Sequence, residues 1–493
     1  MSVSNSKPTH HSHEFQRKLR LLDASMLVIG SMIGSGIFIV SADIARTVGS
    51  PGYLMLVWLI TGIMTVICAL SYGELAGMMP HAGGQYVYLR EAYNRLIGFL
   101  YGWTLFLVIQ TGTIAAVAVA FAKFTAVILP AVSDTNILLS VGGLKITAAR
   151  LLAIASILVL TYINTRGIQL GKIVQDIFTS AKTLALIGLI LLGIIVGRNA
   201  TALNMNFSGF WDASWTHIAD GQIVSVEPLS GLTLLAAIGV AMVGSLFASD
   251  AWNNVTFAAG EVVNPLKTIP RSLVIGTATV ILLYLAANVS YLMILPLSGS
   301  PDAADVLGRG IQFAANDRVA TAATAVMFGD VAAVIMAVLI MVSTFGCNNG
   351  LILAGARVTY AMAKDNLFFS NAGKLNAHGV PAAALWVQAL WASLLCLTGT
   401  YSDLLDYVVF AVLVFYILTI SGIFVLRRTR PETERPIKAY GYPILPALYI
   451  LAAVGICLAL LIYKPTYTWP GVGIVLLGIP VYVVWNALRR GKP

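Results

Sequence analysis

The stretch "GSMIGSGIFIV", residues Gly30 to Val40, sets three glycines and two serines inside an apolar run. A glycine costs a helix interior roughly 1 kcal/mol relative to alanine. Three so close together mark either a weak or broken helix or a face on which membrane helices approach closely. The surroundings fix the setting. The chain has 493 residues, 58% hydrophobic and 10% charged, with a mean hydropathy of +0.85. A soluble domain carries about 25% charged residues, so this is a polytopic membrane protein. Backbone groups in lipid must be satisfied within the spanning element, by helices or by closed barrels. The alternating strands of about ten residues that mark a barrel are missing, which predicts an all-α fold.

Apolar segments fall at 23–41, 52–78, 94–129, 150–166, 175–197, 231–258, 272–296, 322–362, 381–400, 404–426, 442–463 and 470–488. They predict twelve transmembrane helices, since a span needs about 20 apolar residues. The third and eighth exceed a perpendicular span, so tilt or extension beyond the bilayer is expected. Lys and Arg gather on the cytoplasmic side of membrane proteins. With the N-terminus inside, twenty-one of the thirty Lys and Arg lie in the tails and inner loops and eight lie outside. Both termini, 1–22 and 489–493, are therefore expected in the cytoplasm, in a multi-pass protein of the plasma (inner) membrane. This placement makes the net charge of +9 topological, with the lipid bilayer rather than a nucleic acid as partner.

The first residues are polar and basic and lack a small-residue cleavage site, so no cleavable signal peptide is expected. His10, His11 and His13 read as a solvated tail rather than a metal site. His81, His217 and His378 lie in loops, and no H-E-x-x-H pattern occurs. Neither a bound metal, a cofactor nor a catalytic residue is expected, and the chain does not read as an enzyme. Cys68, Cys347, Cys396 and Cys457 all fall in apolar segments, where free cysteine packs as a small hydrophobe.

Two ionisable groups lie at membrane depth. Lys182 is about ten residues, or ~15 Å, from the inner end of its segment, too deep to snorkel easily. An unpaired charge there costs about 3 kcal/mol on insertion scales. Lys182 is expected to face inward, holding broken elements together or titrating between states. Asp250, followed by Trp252, Asn253 and Asn254, needs internal partners. The choice lies between a polar network that glues helices and a substrate-facing role for Asp250 or Asn253.

The sixth segment also answers the first. "GSMIGSGIF" (30–38) and "GSLFASDAW" (244–252) share Gly, Ser and Ser at equal offsets. Each opens a set of five segments, and an odd number of helices per set inverts the second relative to the first. Interrupted helices at matching places in two halves mark the central site of many carriers. A break frees N–H groups at one helix start and carbonyls at another's end. The N–H end suits a carboxylate and the carbonyls suit an ammonium. Two facing breaks suit a zwitterion.

These residues carry a resemblance to amino-acid permeases of the amino acid–polyamine–organocation (APC) superfamily, closest to bacterial relatives of the L-type amino acid transporter light chains. "GSMIGSGIFIV" resembles that family's first-helix G-S-G motif. "ALSYGELAGMMPHAGGQYVYLREAYNRLIGFLYGW" (69–103) is similar to its second helix and first inner loop. "VQDIFTSAKTLAL" (174–186), "LFASDAWNNVTFAAGEVVNP" and "STFGCNNGLILAGARVTYAMAKDNLFF" (343–369) resemble its fifth, sixth and eighth helices. The resemblance implies a LeuT-like 5+5 inverted repeat, 23–197 and 231–426, with two extra C-terminal helices in 442–488. It implies sodium-independent antiport of amino acids, neutral L-amino acids before others, by alternating access between unwound first and sixth helices. Proton-coupled uptake of amino acids, or uptake of cationic amino acids or polyamines, is the second expectation.

By the same resemblance Ile33, Gly34, Ser35 and Gly36 bind the carboxylate and share the amino group, and Phe247 is the aromatic gate. Ala248, Ser249, Asp250 and Asn253 fall at the broken sixth helix, and Lys182 stands where sodium-coupled relatives hold sodium. Light chains carry Gly-Gly or Asp-Gly before Trp, where this chain has Asp250-Ala251. Asp250 is expected to cap the break rather than select a substrate. Residues 130–149 contain no cysteine, so no disulfide-linked heavy chain is expected. A channel would show charged rings or a filter motif, and neither is visible.

Overall fold

The structure, a computed structural model, describes residues 17–141, 144–219, 221–398 and 401–490. The tail histidines His10, His11 and His13 lie outside the described residues. The first apolar segment divides into α1 (Leu21–Met32), α2 (Gly36–Ile39) and α3 (Ser41–Val48). A long α4 (Pro51–Met78) follows, then a short α5 (Gln85–Ala92). The third segment is α6 (Arg95–Thr104), a π-helical turn (Leu105–Ile109) and α7 (Gln110–Ile128). After α8 (Ala148–Thr165) and α9 (Ile168–Ile195), a loop carries α10 (Ala200–Ser208). The sixth segment divides into α11 (Gly231–Ala248) and α12 (Asn254–Phe257). Then come α13 (Pro265–Ile294), α14 (Val306–Arg309), α15 (Val319–Phe328) and α16 (Asp330–Lys364). The chain closes with α17 (Ala382–Thr398), α18 (Tyr401–Thr429), α19 (Ile444–Tyr463) and α20 (Pro465–Arg490).

Local chemistry sets the helix ends. Ser50 caps α4, its hydroxyl accepting from the Tyr53 N–H with Pro51 in the first helical position. Asn94 caps α6 through the Ile97 N–H, and Asn199 caps α10 through the Ala202 N–H. Such side chains take one of the N–H groups that a helix start leaves unpaired. α3 stops at Gly49, whose φ of 60° is the left-handed conformation glycine adopts freely.

The structure differs from the expected fold in three places. Among the described residues, eleven helices are long and apolar enough to cross a membrane. The segment expected at 381–400 is α17, a shorter helix of 17 residues. The segment expected at 322–362 is two helices, because Gly329 between α15 and α16 takes φ 79° and ψ −173°, a conformation open to glycine alone. The all-α expectation fits the spans but not the loops, which carry two antiparallel hairpins. These are β1 (Ile137–Val141) with β2 (Leu144–Thr147), and β3 (Ser214–Ala219) with β4 (Gln222–Pro228). Gly221, at φ 80°, lies in the second turn.

Packing brings the divided segments to the centre. α1 lies against α9, α13 and α16, and α13 packs along α4. α11 runs against α3, α4 and α19, while α18 closes on α7, α19 and α20. Two ion pairs on buried carboxylates brace this bundle. Arg357 of α16 meets both oxygens of Glu261 at 2.7 and 2.9 Å, although its sequence places it among the inner-loop cations. Glu74 of α4 takes Arg427 at 3.0 and 2.7 Å and the Ala439 N–H at 2.7 Å. Removing one partner of such a pair leaves a buried charge, at a cost of about 3–5 kcal/mol.

Candidate functional site

α1 stops at Met32. Ile33 is extended, with φ −73° and ψ 90°, and the helix resumes at Gly36. The carbonyls exposed by this break are all taken by neighbouring side chains. Lys182, 1% exposed, sends its ammonium from α9 to the Gly30 carbonyl at 2.5 Å and to that of Ile33 at 2.6 Å. It is thus a brace and not a snorkelling lysine. From α16, Cys347 donates to the Ser31 carbonyl at 3.1 Å, and Ser343 reaches the Ile33 and Gly34 carbonyls at 3.4 and 3.3 Å. From α13, the Tyr284 hydroxyl donates to the Met32 carbonyl at 2.9 Å.

The second break runs from Ser249 to Asn253. Ala251 sits at φ 65°, in the left-handed region that costs an L-residue roughly 1–2 kcal/mol. Backbone bonds persist through the break, from the Ser249 N–H to the Ser245 carbonyl at 3.0 Å, from the Asp250 N–H to the Phe247 carbonyl at 3.2 Å and from the Asn254 N–H to the Ala251 carbonyl at 3.2 Å, and side chains join them. The Asp250 carboxylate accepts from the Tyr416 hydroxyl at 2.5 Å. A backbone hydrogen bond at Ala251 also reaches the carboxylate, within the break itself, while α12 starts at Asn254 after Asn253, which makes no side-chain cap bond. Asn253 donates to the Gln85 side chain at 3.1 Å, and Gln85 donates to Thr419 at 2.9 Å. Trp252 is packed edge-on to Tyr72, with ring centres 4.8 Å apart. The buried Ser249 hydroxyl has no hydrogen-bond partner.

The two breaks touch. A Cβ on Gly36 would lie 2.5 Å from the Cβ of Ala248, so only glycine permits this approach. Tyr284 spans the junction, adding a bond to the Ala248 carbonyl at 3.1 Å. Two small cavities, each of about 20 Å³, flank the second break, and the Asp250–Tyr416 pair borders both. Asp250 and Asn253 line the first, and Ser249 and Asp250 the second. Ile33, Gly34, Ser35, Gly36, Phe247 and Ala248 line neither of these two. The buried Phe247 sits one residue before that contact, in the last turn of α11.

Tyr284, Ser343, Cys347, Gln85 and Tyr416 escaped sequence reasoning. A hydroxyl or amide inside an apolar span is a weak signal alone. It gains meaning only when its partner, a backbone carbonyl of another broken helix, is known. Among the described residues no group of three His, Cys, Asp or Glu is placed to hold a metal.

A sequence model described as amino acid permease matches residues 19–484. The chain is 29% identical to "Large neutral amino acids transporter small subunit 2" of Mus musculus over 484 residues, 96% of this chain and 82% of that protein. It is 27% identical to "b(0,+)-type amino acid transporter 1" of Homo sapiens over 474 residues, 95% of this chain and 87% of the relative.

Proposed function

We propose that this chain, which belongs to the amino acid permease family, is a sodium-independent exchanger of amino acids, neutral L-amino acids above all. The observation that carries the reading is the brace of Lys182 on the Gly30 and Ile33 carbonyls. A covalently fixed cation there leaves no need for a mobile sodium ion to hold the first break. With its carbonyls engaged, the break offers the N–H groups around Gly34, Ser35 and Gly36 to the substrate carboxylate. The ammonium then meets carbonyls at the end of α11, under Phe247. The names of the relatives, both amino acid transporters, support the same reading.

In this account residues 23–197 and 231–426 form an inverted pair that rocks about the paired breaks, with 442–488 outside it. The protein works in the plasma (inner) membrane with both termini in the cytoplasm. One relative is named a small subunit, which speaks of assembly with a larger one. All four cysteines here are free and buried, so a disulfide-linked partner has no surface thiol to join, and we read the chain as acting without one.

The test is counterflow. Proteoliposomes loaded with unlabelled amino acid should accumulate labelled amino acid without any ion gradient, and empty ones should not. Uptake into empty vesicles that follows an imposed pH gradient would replace exchange with proton coupling. One observation favours a second substrate class. Among the described residues no Lys or Arg pairs with Asp250, whose carboxylate instead holds the neutral Tyr416. A cationic side chain would supply the missing charge. Asp250→Asn should then lower lysine and arginine exchange by about tenfold relative to leucine, as loss of a charged hydrogen bond does. Equal loss for all substrates would return Asp250 to a structural role.

A further inference from the structure

The cations at the basic-loop face of the bundle fall into two sets. Around the ends of α4, α5 and α18 they are paired with acids: Arg90 with Asp365, Arg430 with Glu91, and Arg427 with Glu74. Around the starts of α1 and α13 they are not. Arg17, Lys18 and Arg20 precede α1, and Lys267 and Arg271 lie in the first two turns of α13. All five are exposed, and among the described residues none lies within ion-pair distance of a carboxylate. The neighbouring acids are engaged. Asp23 accepts the Arg20 N–H at 2.8 Å, and Glu261 holds Arg357 at 2.7 Å.

Chain geometry gathers the five cations. The Lys18 and Leu19 N–H groups both donate to the Glu261 carbonyl, at 2.8 and 2.9 Å, and the Val263 N–H donates to the Leu19 carbonyl at 2.8 Å. This short parallel bridge sets the stretch before α1 beside the turn before α13. The two helices then run together, so close that a Cβ on Gly276 would lie 2.5 Å from a Val28 methyl. Lys267 and Arg271 are four residues apart and share one face of α13, which Ile275 continues, 47% exposed. Leu22, 74% exposed, stands at the start of α1. Both helices belong to long apolar spans, so the cluster marks where they enter the bilayer. Charge lies at the boundary, with uncovered aliphatic surface just inside it.

The preference for Lys and Arg on one side of a membrane explains the side, but not the sorting into paired and unpaired groups. A lipid headgroup phosphate would supply the missing anion, and its acyl chains would cover the aliphatic face. Basic pockets between spans take anionic lipids in this way. A soluble anion would leave Leu22 and Ile275 uncovered.

We propose that the groove between the starts of α1 and α13 binds an anionic phospholipid, with Arg20, Lys267 and Arg271 on its phosphate and its acyl chains along α13. The lipid braces the bridge that joins the two broken segments, α1 on one side and the loop after α12 on the other. This goes beyond the transport reading and does not depend on it.

The test is electron spin resonance of the purified full-length protein in phosphatidylcholine nanodiscs that hold a trace of spin-labelled phosphatidylglycerol or of spin-labelled phosphatidylcholine. The protein should retain the phosphatidylglycerol probe about tenfold more strongly than the other. Arg20→Gln/Lys267→Gln/Arg271→Gln should bring it down to the phosphatidylcholine level, and Arg271→Gln alone should cost about fivefold. These side chains are exposed, so the melting temperature should hold. The control Arg428→Gln/Lys438→Gln, which removes two exposed cations near the end of α18, should keep the full preference. Glycerol phosphate added in solution should not displace the probe. No preference in the parent protein, a preference that both groove variants retain, an equal loss in the control, or displacement by glycerol phosphate would overturn the proposal. Amino-acid exchange plays no part in this readout, so each of these results leaves the transport reading intact.

Discussion

The two helix breaks solve one problem in opposite ways. At Ile33–Ser35 every carbonyl from Gly30 to Gly34 is held by a side chain from α9, α13 or α16. At Ser249–Asn253 backbone bonds from the Ser249, Asp250 and Asn254 N–H groups are joined by the Tyr416 and Gln85 side chains, the Ser249 hydroxyl is unpaired, and small cavities lie on two sides. In the proposed exchanger the first break, with its carbonyls held, serves the carboxylate and amine that all amino acids share. The second, with Asp250, Asn253 and the unpaired Ser249 hydroxyl, serves in the same proposal the side chain in which they differ. Their difference separates what a carrier must always bind from what it must choose.

The most damaging way to disturb this contrast is Lys182→Ala. It strips the donor from the Gly30 and Ile33 carbonyls, and hydrogen bonds to a charged group contribute about 1.5–3 kcal/mol each. Exchange should drop by tenfold or more while the protein still folds and inserts, as checked by counterflow beside size-exclusion behaviour. Unchanged exchange kinetics would reduce Lys182 to scaffolding.

Tyr284→Phe is gentler, because Ser343, Cys347 and Lys182 still hold the first break. It leaves the Met32 and Ala248 carbonyls without that hydroxyl. A loss of several-fold in exchange and about 1–3 kcal/mol in stability is expected, read by counterflow and thermal melting. If only stability changes, Tyr284 does not couple the breaks.

The smallest effect should come from Ala251→Gly. Glycine removes the steric penalty at φ 65°, so the protein should gain stability of up to about 1 kcal/mol. Because the Tyr416 and Gln85 partners of Asp250 and Asn253 are untouched, exchange should alter little. A lowered melting temperature would show that the Ala251 methyl packs more favourably than its backbone is strained.

Much of this arrangement was legible in the sequence, for identifiable reasons. Clustered glycines and serines at 30–36 and 244–249 announce trouble for a helix wherever they occur. Lys182 announces a buried partner, because a bare ammonium at that depth is too costly. What stayed hidden depends on pairing across the bundle. For Asp250 the sequence points to a cap of the break, and what it does not show is the Tyr416 hydroxyl on α18 that the carboxylate also holds. Gly329 hid inside an apolar run because a single glycine is compatible with a helix until its φ is known. The β3–β4 hairpin hid because short strands in a loop leave little periodicity to read. Tyr284 lies in an unremarkable span, and its importance comes from two carbonyls more than thirty residues away.

The central claim is that the two breaks form one site, and the Gly36–Ala248 contact tests it most directly. The measurement is counterflow of labelled amino acid by Gly36→Ala, Ala248→Gly and the double variant. A Cβ on Gly36 collides with Ala248 at 2.5 Å, so the first variant should lose most of its exchange through overpacking of about 1–3 kcal/mol. Ala248→Gly alone should stay close to the parent protein, and the double variant should recover. Full activity in Gly36→Ala, or a double variant as impaired as that single one, would contradict the account.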